Sequence, residues 1–482
     1  MLPSFLLIRE VIMQVRIIKA GLCAFTAGAI AIACSSADTK PLSEAGTPSD
    51  KDGGAGGGGG SGGKGSGGSA VVEAGACDVT LAPSSDDLTT IQGALDSKVK
   101  TGNTVCFSKG TYKLKNHLTL SAAKNVTFVG TGSTRDDVVL DFTGQTNGDE
   151  GVLVTTDGFT IENLSIKNTA GNGIKVQADN SVFRNIKVGW DNAGLADGGP
   201  TSGAYAIYPT GCDHTLMENN EVYGAADAGI YAGQCKHVIA RNNDTHDNVL
   251  GLEVENTIDA EVYGNEIHGN STGLLLDLLP DLQQKTTHNY LVHDNNVHDN
   301  NLKNFGQPNT LAATAPQGTG VLVLAARDVE LKNNDIENND GVPLIVVSYD
   351  IIDLLAVLNG GKASTPDPTT SRWPRRIYIH DNTFKGNGAN PQGTYGVFAS
   401  GPDGGKTVPY NVLWDGILDP RGYGDAGTDG GTEEGAQICL GKPEQAAFVN
   451  FHGDKSLLDP KGWSTATDAH QCTLPALPSL TP

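Results

Sequence analysis

The chain has 482 residues, 63 of them glycine, and only 18% of its residues are charged. This composition is typical of a repetitive, turn-rich extracellular β protein. The formal net charge of −22 argues against nucleic acid as a partner, because the protein and the phosphate backbone would repel each other. An acidic surface also repels polyanionic glycans unless a basic groove or a bound cation intervenes.

The N-terminal segment has the features of an export signal. Arg16 and Lys19 precede an apolar run over residues 20–33 that is too short to span a bilayer and that ends in small residues before Cys34. We therefore predict a signal peptide over residues 1–33. The small residues before Cys34 resemble a bacterial lipobox, which predicts an extracytoplasmic lipoprotein, at the outer membrane or cell surface, that contacts the membrane only through a lipid on this cysteine. The alternatives are an ordinary signal peptide that is cut nearby and a Cys34 that is simply buried.

Three further regions follow the signal peptide. Residues 34–76 contain a stretch of almost only Gly, Ser and Lys over residues 52–69, which predicts a flexible linker. Residues 77–411 hold the repeats described below, and Asp86 to Lys98 within them have the apolar spacing and capping aspartate of a short helix. Residues 412–482 have no recognisable repeat, so we predict a C-terminal cap there.

The repeat itself is a Gly-apolar-x-apolar motif that starts at Gly229, Gly251 and Gly273, in steps of 22 residues. Asparagines recur in the same phase, two residues before a position that is apolar or threonine. They are Asn220, Asn243, Asn265, Asn295, Asn334 and Asn382, and five of the six have a second asparagine five positions later. A coil of 22 residues can hold three short strands, and stacked coils place equivalent residues about 4.8 Å apart. The pattern predicts an all-β fold, a single-stranded right-handed parallel β-helix closed by the N-terminal helix, with asparagine ladders at its turns.

Six cysteines follow Cys34, and an even number in an exported protein favours disulfides. Along the chain they form the pairs Cys77 with Cys106, Cys212 with Cys235, and Cys439 with Cys472. The repeat phase makes the second pair neighbours in adjacent coils, which suits a disulfide. Two stacked free thiols are the alternative for that pair.

One sheet of the predicted coil gathers acidic and aromatic side chains on its outer surface. Alternation along a strand directs Tyr208, Tyr231, Glu253, Glu255 and Asp277 outward, because their neighbours point inward. Residues 192–203, 278–288, 302–318 and 349–375 interrupt the 22-residue rhythm beside this sheet and could form the walls of a cleft. The alternative is that these charges only solvate the sheet and that Asp277 caps the following loop.

We therefore assign candidate roles within this cleft. The candidate catalytic group is acidic: Asp227, Glu253, Glu255 and Asp277. The candidate substrate contacts are Tyr208, Tyr231 and Lys175. Glu255 and Asp277 should lie directly above one another, so they would share a proton or a cation such as calcium.

A second outward column contains His246, His268 and His298. Three stacked imidazoles could bind a transition metal, and the alternative is a solvent-exposed polar column.

Several motifs resemble a family of exported bacterial parallel β-helix repeat proteins of the pectate-lyase-like PbH1 type. They are GAADAGIYAGQ (224–234), VLGLEVEN (249–256), LDLLPDL (276–282), DNNLKNF (299–305) and PQGTGVLV (316–323). The resemblance covers about residues 160–350 and implies the fold and the export of this chain. Members of the family are often genomic neighbours of exported cytochrome-like proteins. More distantly, the coils resemble those of pectate lyases, mannuronan epimerases and periplasmic copper-loading proteins, but the epimerase-type DPHD residues are absent and basic residues are scarce on the proposed floor.

Together these features predict a monomeric exported protein that binds or modifies a polysaccharide through the cleft. Any enzymatic activity would be of the lyase, epimerase or hydrolase kind, with no cofactor required and with calcium as a candidate ligand. The alternative is a non-catalytic scaffold or a metal-handling partner of another exported protein.

Overall fold

A computed structural model describes residues 77–191, 202–358, 362–392, 407–422, 431–456 and 462–481 of the chain. The predicted signal peptide, Cys34 and the glycine-rich linker lie outside the described residues.

The chain winds through three parallel sheets, to which successive coils add one strand each in turn. Ile230, Leu252 and Leu274 pair in register across three successive coils and are fully buried, as the 22-residue repeat predicts. The predicted parallel β-helix is therefore confirmed, and stacks of such inward residues form one continuous core.

Within the described residues the sheets have twelve, eleven and ten strands, and we name them by these numbers. The 12-stranded sheet contains β1 (Val79–Leu81), β2 (Thr104–Phe107), β5 (Thr127–Gly130), β8 (Thr160–Glu162), β11 (Ser181–Arg184), β14 (Asp213–Glu218), β17 (Lys236–Arg241), β20 (Ile258–Tyr263), β23 (His288–His293), β26 (Arg327–Lys332), β29 (Arg375–His380) and β32 (Ile438–Leu440). The 11-stranded sheet contains β4 (Leu118–Leu120), β7 (Glu150–Val154), β10 (Asn172–Val176), β13 (Ile207–Pro209), β16 (Ala228–Gly233), β19 (Leu250–Glu255), β22 (Thr272–Asp277), β25 (Thr319–Leu324), β28 (Leu344–Val347), β31 (Val412–Trp414) and β33 (Phe448–Asn450). The 10-stranded sheet contains β3 (Gly110–Lys113), β6 (Val138–Asp141), β9 (Ser165–Lys167), β12 (Lys187–Gly189), β15 (Glu221–Tyr223), β18 (Asp244–His246), β21 (Glu266–His268), β24 (Asn296–His298), β27 (Asp335–Glu337) and β30 (Thr383–Lys385).

Helix α1 (Asp87–Ser97) confirms the predicted N-terminal cap of the coil. The Asp86 carboxylate accepts a hydrogen bond from the Thr89 N–H at 3.1 Å, and Ile91 and Leu95 are buried in the core. The other helical segments are α2 (Tyr349–Leu358), α3 (Glu433–Ala436), α4 (Lys442–Gln445), α5 (Gly453–Ser456) and the 3₁₀ turns Arg135–Asp137, Ala312–Thr314 and Asp468–His470. None of the helices in the described part of the chain has the length and apolarity needed to cross a membrane.

Two asparagine ladders run along the interior of the turns, as predicted. In the first, Asn265 Oδ1 accepts hydrogen bonds from both the backbone N–H and the Nδ2 of Asn243, each at 2.9 Å. Asn270 and Asn300 repeat this arrangement in the second ladder. Because these asparagines are buried, the ladders satisfy backbone groups that water does not reach at the turns.

All three predicted cysteine pairs are disulfides. Cys212 and Cys235 link adjacent coils with a Cα–Cα distance of 4.4 Å. The other two bonds join Cys77 to Cys106 and Cys439 to Cys472. Three disulfides in one domain favour an extracytoplasmic protein, because thiols stay reduced in the cytosol.

The predicted boundary between coil and cap at residue 411 is wrong, because the sheets continue beyond it. Strands β31 and β33 extend the 11-stranded sheet, and β32 pairs with β29 in the 12-stranded sheet. The sequence pattern did not reveal these strands because each has only three residues and the stretches of sequence between them differ in length.

The C-terminal tail runs back over the outer surface of the 12-stranded sheet. It starts at the Cys439–Cys472 disulfide, and the backbone N–H groups of Leu477 and Leu480 donate hydrogen bonds to Glu330 (2.6 Å) and Glu261 (2.7 Å). Both glutamates are 3% exposed, so the tail covers carboxylates that lie on the coil surface.

Truncation of the chain after Cys472 should lower the free energy of unfolding by about 2–4 kcal/mol, because two hydrogen bonds to charged groups are lost at about 1.5–3 kcal/mol each and partly replaced by water. Urea unfolding measures this loss. Ser479→Ala, at an exposed position between the two bonded leucines, is the control and should have almost no effect. Equal stability of the truncated and full-length proteins would show that the tail does not stabilise the coil.

Candidate functional site: a roofed acidic cavity

The candidate site lies on the outer surface of the 11-stranded sheet. Strand register places Tyr231, Glu253, Leu275 and Leu322 in one row across four coils. All four point away from the core, as alternation predicts, yet each is at most 7% exposed. Side chains that face outward are therefore covered by another part of the chain.

Three of the four predicted wall segments form this cover. A cavity of about 260 Å³ lies above the sheet and is lined by residues from the segments 278–288, 302–318 and 349–375. Examples, one from each segment, are Leu279, Leu311 and Ile352. The fourth segment, residues 192–203, lies almost entirely outside the described residues. Leu275, Leu322 and Ile345 give the floor of the cavity an apolar half, while carboxyl groups occupy its other half.

Glu253, Glu255 and Asp277 form a compact carboxyl cluster at this floor. One oxygen from each residue lies within 4.8 Å of one oxygen from each of the others. Glu255 and Asp277 pair in register on adjacent coils, as predicted from the repeat. The Tyr231 hydroxyl donates a hydrogen bond to Glu255 Oε1 at 2.5 Å and so orients that carboxyl group.

Three oxygens of this cluster are buried and have no hydrogen-bonding partner among the residues that the structure describes. They are Glu253 Oε2 and both carboxyl oxygens of Asp277. Buried carboxylates without donors are costly, so such a group either holds a proton or binds a cation.

The pKa values in the cluster are raised because the charged forms are disfavoured. Burial raises the pKa of Glu253 well above its usual range, and the nearby Asp277, Asp227 and Glu255 charges add to this effect. Burial also raises the pKa of Asp277, with further contributions from Glu255 and Asp227. Burial raises the pKa of Glu255 as well, although the hydrogen bond from Tyr231 opposes that change. The cluster therefore retains protons above the pH at which free carboxyl groups ionise.

Asp227 completes the acidic wall of the cavity and keeps some contact with solvent. Removal from bulk water raises its pKa to about 7, although a hydrogen bond from Tyr205 acts in the opposite direction. Asp227 is only partly buried whereas Glu253, Glu255 and Asp277 are buried, so Asp227 is the carboxyl group of the four that can most readily exchange a proton with a ligand near neutral pH.

The predicted substrate contacts Tyr208, Tyr231 and Lys175 are not among the residues that line the cavity. Tyr205 lines the cavity, and its ring packs on Tyr208 and Tyr231 at centroid distances of 4.5 and 4.7 Å. Tyr208 and Tyr231 therefore lie behind Tyr205. Lys175 lies further along the sheet, 5.4 Å from the centroid of Tyr208 and 3.6 Å from Glu150 Oε1.

The predicted histidine column is present on the 10-stranded sheet, where His246, His268 and His298 stack at centroid distances of 5.3 and 5.2 Å. Their ring nitrogens face carboxylates, for example His246 Nδ1 with Asp247 (2.8 Å). Hydrogen bonds to carboxylates outweigh the effect of burial and raise the pKa of His246 to about 9. These three imidazoles are not among the groups of described residues whose ligand atoms converge on one point. The geometry favours an ion-paired polar column over a metal site.

Sequence reasoning missed Tyr205 and a pair of histidines, His214 and His237. Tyr205 follows residues 192–203, where the sequence repeat is interrupted, so no repeat phase indicates its direction. The histidines had a usable signal, because each lies two residues after a cysteine of the Cys212–Cys235 disulfide and therefore at the same place in adjacent coils.

Comparison with known proteins agrees with this architecture. Residues 199–356 match the family model of the right-handed β-helix region. The chain thus contains a right-handed β-helix. No curated protein sequence matches it.

Several solved structures of β-helix proteins are similar at low identity. The A-module of the mannuronan C-5 epimerase AlgE4 from Azotobacter vinelandii is 16% identical with a TM-score of 0.46, and the alignment covers 76% of this chain and 91% of that one. A polygalacturonase from Erwinia carotovora is 11% identical with a TM-score of 0.45, covering 64% of this chain and 93% of that one. An alginate lyase from Paenibacillus is 13% identical with a TM-score of 0.36, covering 64% and 96%. These neighbours are polysaccharide epimerases, polygalacturonases and lyases by name, and the likeness concerns the fold.

Proposed function

We propose that this protein is an exported carbohydrate-binding β-helix that holds the end of a polysaccharide chain in the roofed acidic cavity. The observation that carries the proposal is the combination of an aromatic ring, several carboxyl groups and apolar walls around one enclosed space. Sugar rings present apolar C–H faces and hydroxyl donors, and these match the Tyr205 ring and the carboxyl oxygens of Asp227 and Glu255.

The size of the cavity supports a chain end over an extended chain. Its volume of about 260 Å³ is just below the usual range of ligand sites, roughly 300–1,000 Å³. This space suits a single sugar ring, whereas a long chain needs an open groove.

The charge of the cavity selects among sugars. Any negative charge on Asp227, Glu253 or Glu255 would repel a uronate, and their protonated forms offer it no positive charge, so the preferred ligand is a neutral or amine-bearing sugar. Calcium between Glu255 and Asp277 is the arrangement that would admit an acidic sugar, because carboxylate oxygens are the ligands that this cation prefers.

Asp227 gives the site a group that can transfer protons. Its pKa of about 7 allows it to give or accept a proton at neutral pH, as a general acid or base requires. This property supports modification of the bound sugar as well as binding, with lyase, epimerase or hydrolase chemistry as the classes to assay.

Glycan-array binding of the full-length protein, followed by calorimetry with the best oligosaccharide, tests the proposal. The double variant Asp227→Asn with Glu255→Gln should weaken binding at least about tenfold, because two acceptors for sugar hydroxyls change, at about 1 kcal/mol each. Glu337→Gln on the 10-stranded sheet is the matched control and should bind as the wild type does. Binding that persists in the double variant would reject this site, and no binding to any glycan would reject the function.

The lipid anchor is a separate part of the proposal. The small residues before Cys34 support a lipidated N-terminus, with the linker holding the coil away from the membrane. Cys34→Ser should release the protein from the membrane fraction, and membrane attachment that survives this change would reject the anchor.

A further inference from the structure

A compact group of two histidines and one aspartate lies on the outside of the coil, away from the acidic cavity. Asp213 Oδ1 is 2.8 Å from His214 Nδ1 and 2.6 Å from His237 Nδ1. All three side chains reach solvent, with 37% of the side-chain area accessible for Asp213, 59% for His214 and 40% for His237. Their ligand atoms converge within 4.8 Å, which the histidine column on the 10-stranded sheet does not achieve.

The coil geometry builds this group at the corner where the chain enters the 12-stranded sheet. Asp213 and Lys236 pair in register, so His214 and His237 lie one above the other, and their rings stack at 4.5 Å. Both histidines adopt left-handed backbone angles, with φ of 57° and 50°. The disulfide between Cys212 and Cys235, two residues earlier, links the same two coils and holds the corner together.

Most other coils fill this corner with residues that tolerate left-handed angles more readily, and Arg376, with φ of 57° in the coil after Asp328, is an exception. The equivalent positions in neighbouring coils are Asn180, Asp259, Asn289 and Asp328, each with φ between 55° and 59°. Asparagine and aspartate are common in this conformation, so the fold itself does not require histidine here. Two adjacent coils nevertheless carry histidine at this position, so two imidazole rings contact the carboxylate of Asp213.

An outer carboxylate lies near the second ring nitrogen of His237, as is common for histidines around metal ions. His237 Nε2 lies 3.6 Å from Asp259 Oδ2, on the side of the ring opposite Nδ1. Asn289 Nδ2 donates a hydrogen bond to Asp259 Oδ1 at 2.6 Å and so holds that carboxylate. Histidines that bind a metal through one nitrogen usually donate the other to a carboxylate, which orients the ring and strengthens the ligand.

We propose that Asp213, His214 and His237 form a binding site for a divalent transition metal ion, Zn²⁺ or Cu²⁺. Two imidazoles with one carboxylate suit these ions, whereas Ca²⁺ and Mg²⁺ take oxygen ligands. The ion would lie between the two Nδ1 atoms and Asp213. Asp213 also borders an open polar depression of about 690 Å³, which leaves room for water or a ligand to complete the coordination. The site is independent of the proposed sugar-binding cavity.

Calorimetric titration of the full-length protein with Zn²⁺, and electron paramagnetic resonance with Cu²⁺, test this proposal. We expect one equivalent of each ion to bind, with a Cu²⁺ spectrum showing nitrogen coupling. The variants His214→Asn and His237→Asn should each weaken affinity by about 100-fold or more through loss of an imidazole ligand. Both should fold normally, because asparagine already stands at this corner at Asn180 and Asn289, and thermal unfolding measures that directly.

His268→Asn, in the middle of the histidine column, is the matched control and should bind the metal as tightly as the wild type. Wild-type protein that binds no stoichiometric ion would overturn the proposal. Unchanged metal affinity in the folded variants His214→Asn and His237→Asn would also overturn it. Loss of metal binding in His268→Asn alone would do the same. Unchanged sugar binding in the corner variants would separate this site from the cavity.

Discussion

Replacement of Asn265 by alanine should lower the free energy of unfolding by about 3–5 kcal/mol, the largest effect that we expect from a single substitution. Its side chain makes four hydrogen bonds at 2.9 Å, two accepted from Asn243 and one donated to each of Ala240 O and Asn295 Oδ1. Asn265 is fully buried, so alanine leaves these partners without water. Each neutral hydrogen bond contributes about 1 kcal/mol, and each unsatisfied buried group adds a penalty.

Asn387→Ala is the matched control, because this residue terminates the second ladder and is only half-buried. It should cost about 1 kcal/mol, because solvent can replace part of what is lost. Equal losses for the two variants in urea unfolding would mean that the ladder does not act as a buried continuous network.

Asp277→Asn should raise the free energy of unfolding at pH 8 by about 1–3 kcal/mol, because it removes an ionisable group from a buried acidic cluster. The amide can donate hydrogen bonds to the neighbouring Glu253 and Glu255 oxygens, where a carboxylate would only repel them. The gain should be smaller at pH 5, because the wild-type cluster is then largely protonated.

The direction of this pH dependence follows from the raised pKa values. A carboxyl group whose folded-state pKa lies above its unfolded value contributes most stability below the unfolded pKa of about 4 and loses it as the pH rises through the folded-state pKa. Stability of the wild type should therefore decline from about pH 4 upward relative to the variant. Urea unfolding at pH 5 and 8 measures the difference.

Asp299 is exposed and contacts His298 of the histidine column. Asp299→Asn is therefore the control for removal of one carboxyl group from the surface, and it should show no such gain in stability. Stabilisation of the wild type by millimolar Ca²⁺ at pH 8, with lower stability of Asp277→Asn, would contradict the proton-holding cluster and assign a cation to it instead.

The sequence predicted the features that depend on the repeat period. The motifs at Gly229, Gly251 and Gly273 set the phase, and that phase correctly placed the Asn265 ladder, the Cys212–Cys235 disulfide and the Glu255–Asp277 pair. Stacking of coils imposes one spacing on all of them, so one period fixes many contacts.

Features outside the period were not predictable in the same way. Tyr205 follows an interruption of the sequence repeat, so the period does not give its direction, and the cover by Leu311 and Ile352 depends on how loops fold back on the sheet. The sequence indicated which segments could cover the sheet, but it did not show that the cover would close over Glu253 and Asp277. Burial of those two groups, and with it their raised pKa values, arises only from tertiary packing.

A crystal structure of the protein with its best-binding oligosaccharide tests the central proposal most directly. We expect density for a terminal sugar inside the cavity, in contact with Tyr205 and within hydrogen-bonding distance of Asp227 or Glu255. A sugar bound on another sheet, or along an open groove outside the cavity, would contradict it.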